Sequence, residues 1–167
     1  MTTPRFYWIT AIFYTLFIFF LSLFALPIGE RFGGDIFYYR GLLAAGIISG
    51  SILLMTLWKK RRKMGALKWA ALIFIFSVYV IFYFTLQIRI EEIHLINFAI
   101  LNILFQKAFA SSGMEPSYGY AAGLSVFIGC SDEFLQKFIP GRVGDWHDVG
   151  LGVAGALLGA ALTRVTS

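Results

Sequence analysis

Residues 131–148 read Ser-Asp-Glu-Phe-Leu-Gln-Lys-Phe-Ile-Pro-Gly-Arg-Val-Gly-Asp-Trp-His-Asp, which sets four acids, two bases and a histidine inside an otherwise oily chain. A charged side chain at bilayer depth costs at least ~2.5 kcal/mol on insertion scales, so a cluster of them in an apolar sequence is a candidate functional site. On a helix, Asp132 and Gln136 are four residues apart, Glu133 and Gln136 three, and Glu133 and Lys137 four, so these groups are neighbours on the helix surface. Pro140-Gly141 is a turn dipeptide that ends this helix and leaves Arg142 on a short loop. The planar fork of Arg142 suits bidentate binding of a phosphate or carboxylate. Asp145 fits the N-cap of the next helix with Asp148 in its first turn, and both acids equally suit a ligand pocket. A purely structural role is the alternative: Glu133 paired with Lys137, or Arg142 bridged to Asp132 or Glu133.

A second polar group, Arg89-Ile90-Glu91-Glu92-Ile93-His94, precedes another apolar run. Glu91 and His94 are three residues apart and share a helix face, where they could supply a general acid or base. The candidate proton-handling set is therefore Glu133, Asp132, His94 and Glu91. The candidate ligand-binding set is Arg142 with Gln136, Asp145, Asp148 and Arg89. His94, His147 and the carboxylates offer donors for a divalent cation, but no His-Glu-x-x-His or paired-cysteine spacing selects a set, so no metal ligand and no cofactor is assigned. Nor does the chain carry a Gly-x-Ser-x-Gly elbow, a phosphate-binding loop or a dinucleotide fingerprint.

The elements that must hold these groups are membrane helices. Of 167 residues, 59% are hydrophobic, 18% aromatic and only 14% charged, with a mean hydropathy of +0.77; that composition is far from a soluble domain. Six apolar segments, at about 6–26, 41–58, 68–88, 94–110, 118–138 and 148–165, each approach the length of a spanning helix. They predict one domain, an all-α bundle of six transmembrane helices. The first segment is longer than the apolar core of a cleavable signal and reads as a retained anchor, with a weak cleavage site near Ala25 as the alternative. Between Tyr118 and Ser131 there are only fourteen uncharged residues, too few to span, so the fifth helix must continue through Asp132 and Glu133.

The net charge of +5 is concentrated in Lys59, Lys60, Arg61, Arg62, Lys63 and Lys68. This reads as a cytoplasmic anchor, not a nucleic-acid patch, because no basic groove with interleaved aromatics accompanies it. Both termini are then cytoplasmic, and the polar groups at 89–94 and 131–148 converge on the outer face. Trp8, Trp58 and Trp69 fall at the cytoplasmic segment ends, where indoles favour the interface. Gly155 with Gly159 and Gly119 with Gly123 repeat at four residues, which predicts close packing of the fifth and sixth helices, or homodimerisation through the Gly155 face. Cys130, the single cysteine, reads as a small packing residue in an apolar run.

The pattern Glu91-x-x-His94, Asp132-Glu133-x-x-Gln136-x-x-x-Pro140-Gly141-Arg142-x-x-Asp145-x-x-Asp148-Val149 with a closing glycine-rich helix resembles the VanZ-like family of small bacterial membrane proteins over about residues 90–160. Gly152 stands where that pattern often has asparagine, and His147 where it often has arginine. The resemblance implies a cell-envelope protein of the cytoplasmic membrane, in a family whose founding member is associated with lowered susceptibility to the lipoglycopeptide teicoplanin; it brings no reaction with it. The residues themselves predict an outward-facing pocket that binds or processes an anionic amphiphile, such as a phospholipid or lipid-linked precursor. Arg142, helped by Arg89, would hold the head group there. A non-enzymatic scaffold or drug-shielding protein is the other reading. Familiar transporter architectures are disfavoured, since the chain has no inverted repeat.

Overall fold

Buried backbone polar groups must find hydrogen-bond partners, and the described apolar runs supply them internally as helices. The computed structural model describes residues 4–32, 65–85, 91–115, 117–139 and 144–166. Among them are five helices and no strand: α1 (Pro4–Phe32), α2 (Ala66–Thr85), α3 (Glu91–Ser111), α4 (Ser117–Gln136) and α5 (Trp146–Thr166). These match the first, third, fourth, fifth and sixth expected segments. The expected segment at 41–58 and the basic cluster at 59–63 lie outside the described residues. α1 begins at Pro4, where a missing N–H costs nothing, and runs past its expected end through Pro27. α4 does continue through Asp132 and Glu133.

α3 is the hub. It packs most extensively on α5 and also on α4 and α1, while α2 lies against α5. Phe98, Leu101, Phe105 and Phe109 of α3 form the core with Ala11 and Ile18 of α1 and Ala121 and Ile128 of α4. Two hydrogen bonds pin α1 to α3: Trp8 Nε1 donates to Ser112 Oγ at 2.9 Å, and the Tyr14 hydroxyl donates to Asn97 Oδ1 at 2.9 Å. The Arg164 guanidinium lies 5.9 Å from the Tyr118 ring centre. The start of α1, the end of α3, the start of α4 and the end of α5 therefore share one end of the bundle, and the polar groups collect at the other.

Glycine decides how α5 meets α3. A Cβ on Gly155 or Gly159 would collide with the backbone carbonyl of Leu95 or Ala99 respectively. The expected packing of α4 on α5 is present, but the close approach at Gly155 and Gly159 is to α3, and Gly123 is exposed with nothing within 4 Å of its Cβ position. The Gly155 face is engaged inside the chain. Gly129 and Gly152 clamp Phe98 from two sides, each placing a Cβ position 3.2 Å from its ring. Gly113 has the positive φ of 75° that closes α3. Met114 N–H bonds Phe109 O and Gly113 N–H bonds Ala110 O, the paired contacts of a glycine-terminated helix, which turn the chain directly into α4.

The bundle buries polar groups beside its apolar core and presents apolar side chains outward. Asn102, Gln106, Ser117, Ser125, Asp132, Glu133 and Gln136 are buried, whereas Phe13, Phe74, Phe76, Phe127 and Leu157 are exposed. Among the described residues, Pro4–Phe24 and Trp146–Thr166 are long and apolar enough to cross a membrane, and Ala66–Val78 is a shorter apolar stretch. The glycine contacts give a stability prediction. Gly155→Ala and Gly159→Ala should each destabilise the micelle-embedded protein by roughly 2 kcal/mol through overpacking, whereas Gly123→Ala, in open space, should be neutral or stabilising by up to ~1 kcal/mol. Thermal unfolding in detergent measures both.

Candidate functional site

The last turns of α4 carry Asp132, Glu133 and Gln136, which are 0%, 4% and 2% exposed. Burying two adjacent carboxyl groups costs several kcal/mol per ion unless donors meet them. Gln136 supplies two: its Nε2 donates to Asp132 Oδ2 at 3.1 Å and to Glu133 Oε1 at 2.9 Å. Only the amide nitrogen can do this, which fixes the orientation of the Gln136 side chain.

The other oxygen of Glu133 is met by the following loop. Asp145 N–H donates to Glu133 Oε2 at 3.0 Å. The loop can lie this close because residue 144 is glycine: a Cβ there would strike the Glu133 carbonyl oxygen and come within 2.9 Å of Lys137 Cγ. The Asp145 carboxylate accepts the His147 N–H at 3.0 Å, so it is the N-cap of α5, as the spacing predicts. Asp145 therefore serves twice, its backbone holding Glu133 and its side chain starting the next helix.

His94 approaches from the first turn of α3. Its Nε2 lies 3.8 Å from Glu133 Oε1 and 3.8 Å from Asp148 Oδ2. Its ring stacks on Phe98, with centres 6.2 Å apart and planes 8° from parallel. The positive ends of the α3 and α5 dipoles both meet the carboxylates here. One ligand atom from each of His94, Glu133 and Asp148 falls in a group whose members all lie within 4.8 Å of one another, drawn from three helices.

Beside Glu133 is a small cavity of about 160 Å³, lined by Cys130, Glu133, Phe134, Lys137, Gly144, Asp145, Trp146 and Val149. The Lys137 ammonium stands 5.7 Å from the centre of the Trp146 ring, a cation–π distance. The structure thus brings together His94, Asp132, Glu133, Gln136 and Asp148 with the backbone of Asp145. Arg142 and Arg89 lie outside the described residues, as does the side chain of Glu91, whose backbone opens α3. Cys130 is exposed and forms part of the cavity wall, so the packing role read from its apolar neighbours does not hold. Sequence reasoning missed Phe98 and the Lys137–Trp146 wall. The four-residue stripe His94, Phe98, Asn102, Gln106 was the signal available for the first; no local pattern pairs Lys137 with Trp146 across a turn.

No protein-family model matches the chain, and no curated protein or solved structure matches it. The site's own chemistry yields the next prediction. Gln136→Leu should destabilise by roughly 3 kcal/mol, because it strips a donor from two buried acids, whereas Asp145→Ala should cost only ~1 kcal/mol from the lost cap, since the backbone bond to Glu133 remains. Paired unfolding curves in one detergent test the ranking.

Proposed function

We propose that this chain is a VanZ-like protein of the bacterial cytoplasmic membrane. In this reading it is a six-helix bundle, N-in and C-in, whose polar end faces outward and binds the head group of an anionic amphiphile. The ligand class is a phospholipid, a lipid-linked cell-wall precursor or a lipoglycopeptide. The observation that carries the reading is the placement of polar and apolar groups: ionisable side chains are buried at one end of a bundle whose described exterior carries many large apolar side chains. In water such an exterior would be an aggregation liability; in lipid it is the ordinary outer face. The head-group reading draws support from the cavity at that end, where Lys137 and Trp146 offer a cation and an amphipathic ring. Arg142 is its principal anion-binding residue, helped by Arg89, with Glu133, Asp132, His94 and Glu91 handling protons.

One observation favours a second reading, in which the network is structural scaffolding. Both oxygens of Glu133 are engaged by internal donors, Gln136 and Asp145. The two readings part on variants. Arg142→Ala should lose at least tenfold in binding to vesicles containing phosphatidylglycerol, with unchanged thermal stability, and Arg142→Lys should recover part of it, because a point charge lacks the bidentate fork. If each loss of binding tracks a loss of stability, the scaffold reading replaces this one. Topology has its own test. Single cysteines at positions 60 and 142 should label from opposite sides of the membrane, and labelling from the same side would defeat the six-helix arrangement.

A further inference from the structure

The geometry points to a site for one divalent cation of borderline hardness, Zn²⁺ being the reference ion, held by His94 Nε2, Glu133 Oε1 and Asp148 Oδ2. His94 Nε2 stands 3.8 Å from each carboxylate oxygen, too far to donate a hydrogen bond to either. An imidazole serving as a simple ion-pair partner would direct its single Nε2–H at one of them. This one stands equally far from both. One ligand atom from each of the three residues lies within 4.8 Å of the other two, so some point lies within about 2.8 Å of all three, and bonds of ~2.0–2.2 Å to nitrogen and oxygen require them to close by roughly half an ångström.

The surroundings are those of a metal ligand set. Glu133 is oriented by two donors, Gln136 Nε2 and Asp145 N–H, the kind of outer contact that fixes a coordinating carboxylate. His94 has its ring plane set by stacking on Phe98. Asp148 is carried rigidly in the first turn of α5, and α5 is registered on α3 by Gly155 and Gly159. One imidazole with two carboxylates favours Zn²⁺ and Mn²⁺ over thiophilic ions and over all-oxygen ions such as Ca²⁺. Three protein ligands leave a coordination position for water or an incoming oxygen, as in reactive zinc sites and unlike closed structural ones. If the head-group reading stands, a phosphate oxygen is the natural occupant of that position.

The test uses the full chain in detergent, stripped with a chelator and titrated with Zn²⁺ alone by calorimetry, with no lipid added. Its outcome is therefore separate from the fate of the head-group reading. One ion per chain should bind with a dissociation constant of ~10 μM or tighter. His94→Ala and Asp148→Asn should each weaken binding at least tenfold, and His147→Ala, which removes the exposed second histidine, should leave it unchanged. Should either variant fail to fold, zinc K-edge absorption on the native chain decides. One imidazole with the remaining ligands all oxygen is expected. No stoichiometric Zn²⁺ binding, binding indifferent to both folded variants, two coordinated imidazoles, or a sulfur ligand from Cys130 would each overturn the site.

Discussion

A carboxylate buried beneath an apolar surface has to be met by donors, and the satisfaction of Glu133 is the constraint on which this structure turns. Its two oxygens are served from two points further along the chain, one by Gln136 a turn ahead on the same helix and one by the backbone of Asp145 across the following loop. The second contact exists only because Gly144 lets the loop rest on the end of α4. Once Asp145 is placed there, its side chain caps α5, and α5 is launched from a defined point. An unsatisfied buried acid would cost far more than any one of these contacts contributes, so the loop, the cap and the last turn of α4 form one unit.

Where α5 goes from that point is decided by close packing. The parallel run of α3 beside α5 brings their first turns to the same end, and glycines at 155 and 159 remove the bulk that would hold the two backbones apart. This sets the register that places Asp148 opposite His94. Phe98 lies in the same seam, clamped by Gly129 and Gly152, and forms the floor on which the His94 ring rests. The geometry of the site is therefore inherited from helix contacts that involve no polar side chain. A small change in the glycine seam would move two of the three candidate ligands against the third.

Below Phe98 the buried polar character continues. Gln106 Nε2 donates to Asn102 Oδ1, one helical turn away. Asn102 Nδ2, Gln106 Oε1 and Ser125 Oγ are buried with no protein partner. Polar groups in such positions are normally met by ordered water. Polar groups are thus embedded in the apolar core below Phe98, and its ring lies between the charged end and these neutral groups.

The sequence by itself determined the helices and the proximity of near neighbours. Apolar runs of spanning length specify α2, α3, α4 and α5 within a few residues and the start of α1, which runs six residues past its expected end, and helical periodicity alone places Gln136 beside Asp132 and Glu133. The cap at Asp145 was equally legible, because an acid just before a helix start has a local function. Helix periodicity also showed small residues spaced for close approach, but not which helix they approach: Gly155 and Gly159 seat α3. What the tertiary structure alone decided was every relation between groups far apart in the chain. Spacing offers His94 only Glu91, three residues away, whose side chain lies outside the described residues, and it gives no sign of Glu133 and Asp148, which the fold brings to His94. Spacing along a helix reports only its own surface, whereas a site assembled from three helices depends on their register, and that register is set by backbone approach and packing volume. The gathering of one imidazole and two carboxylates around a common point is a property of the folded bundle.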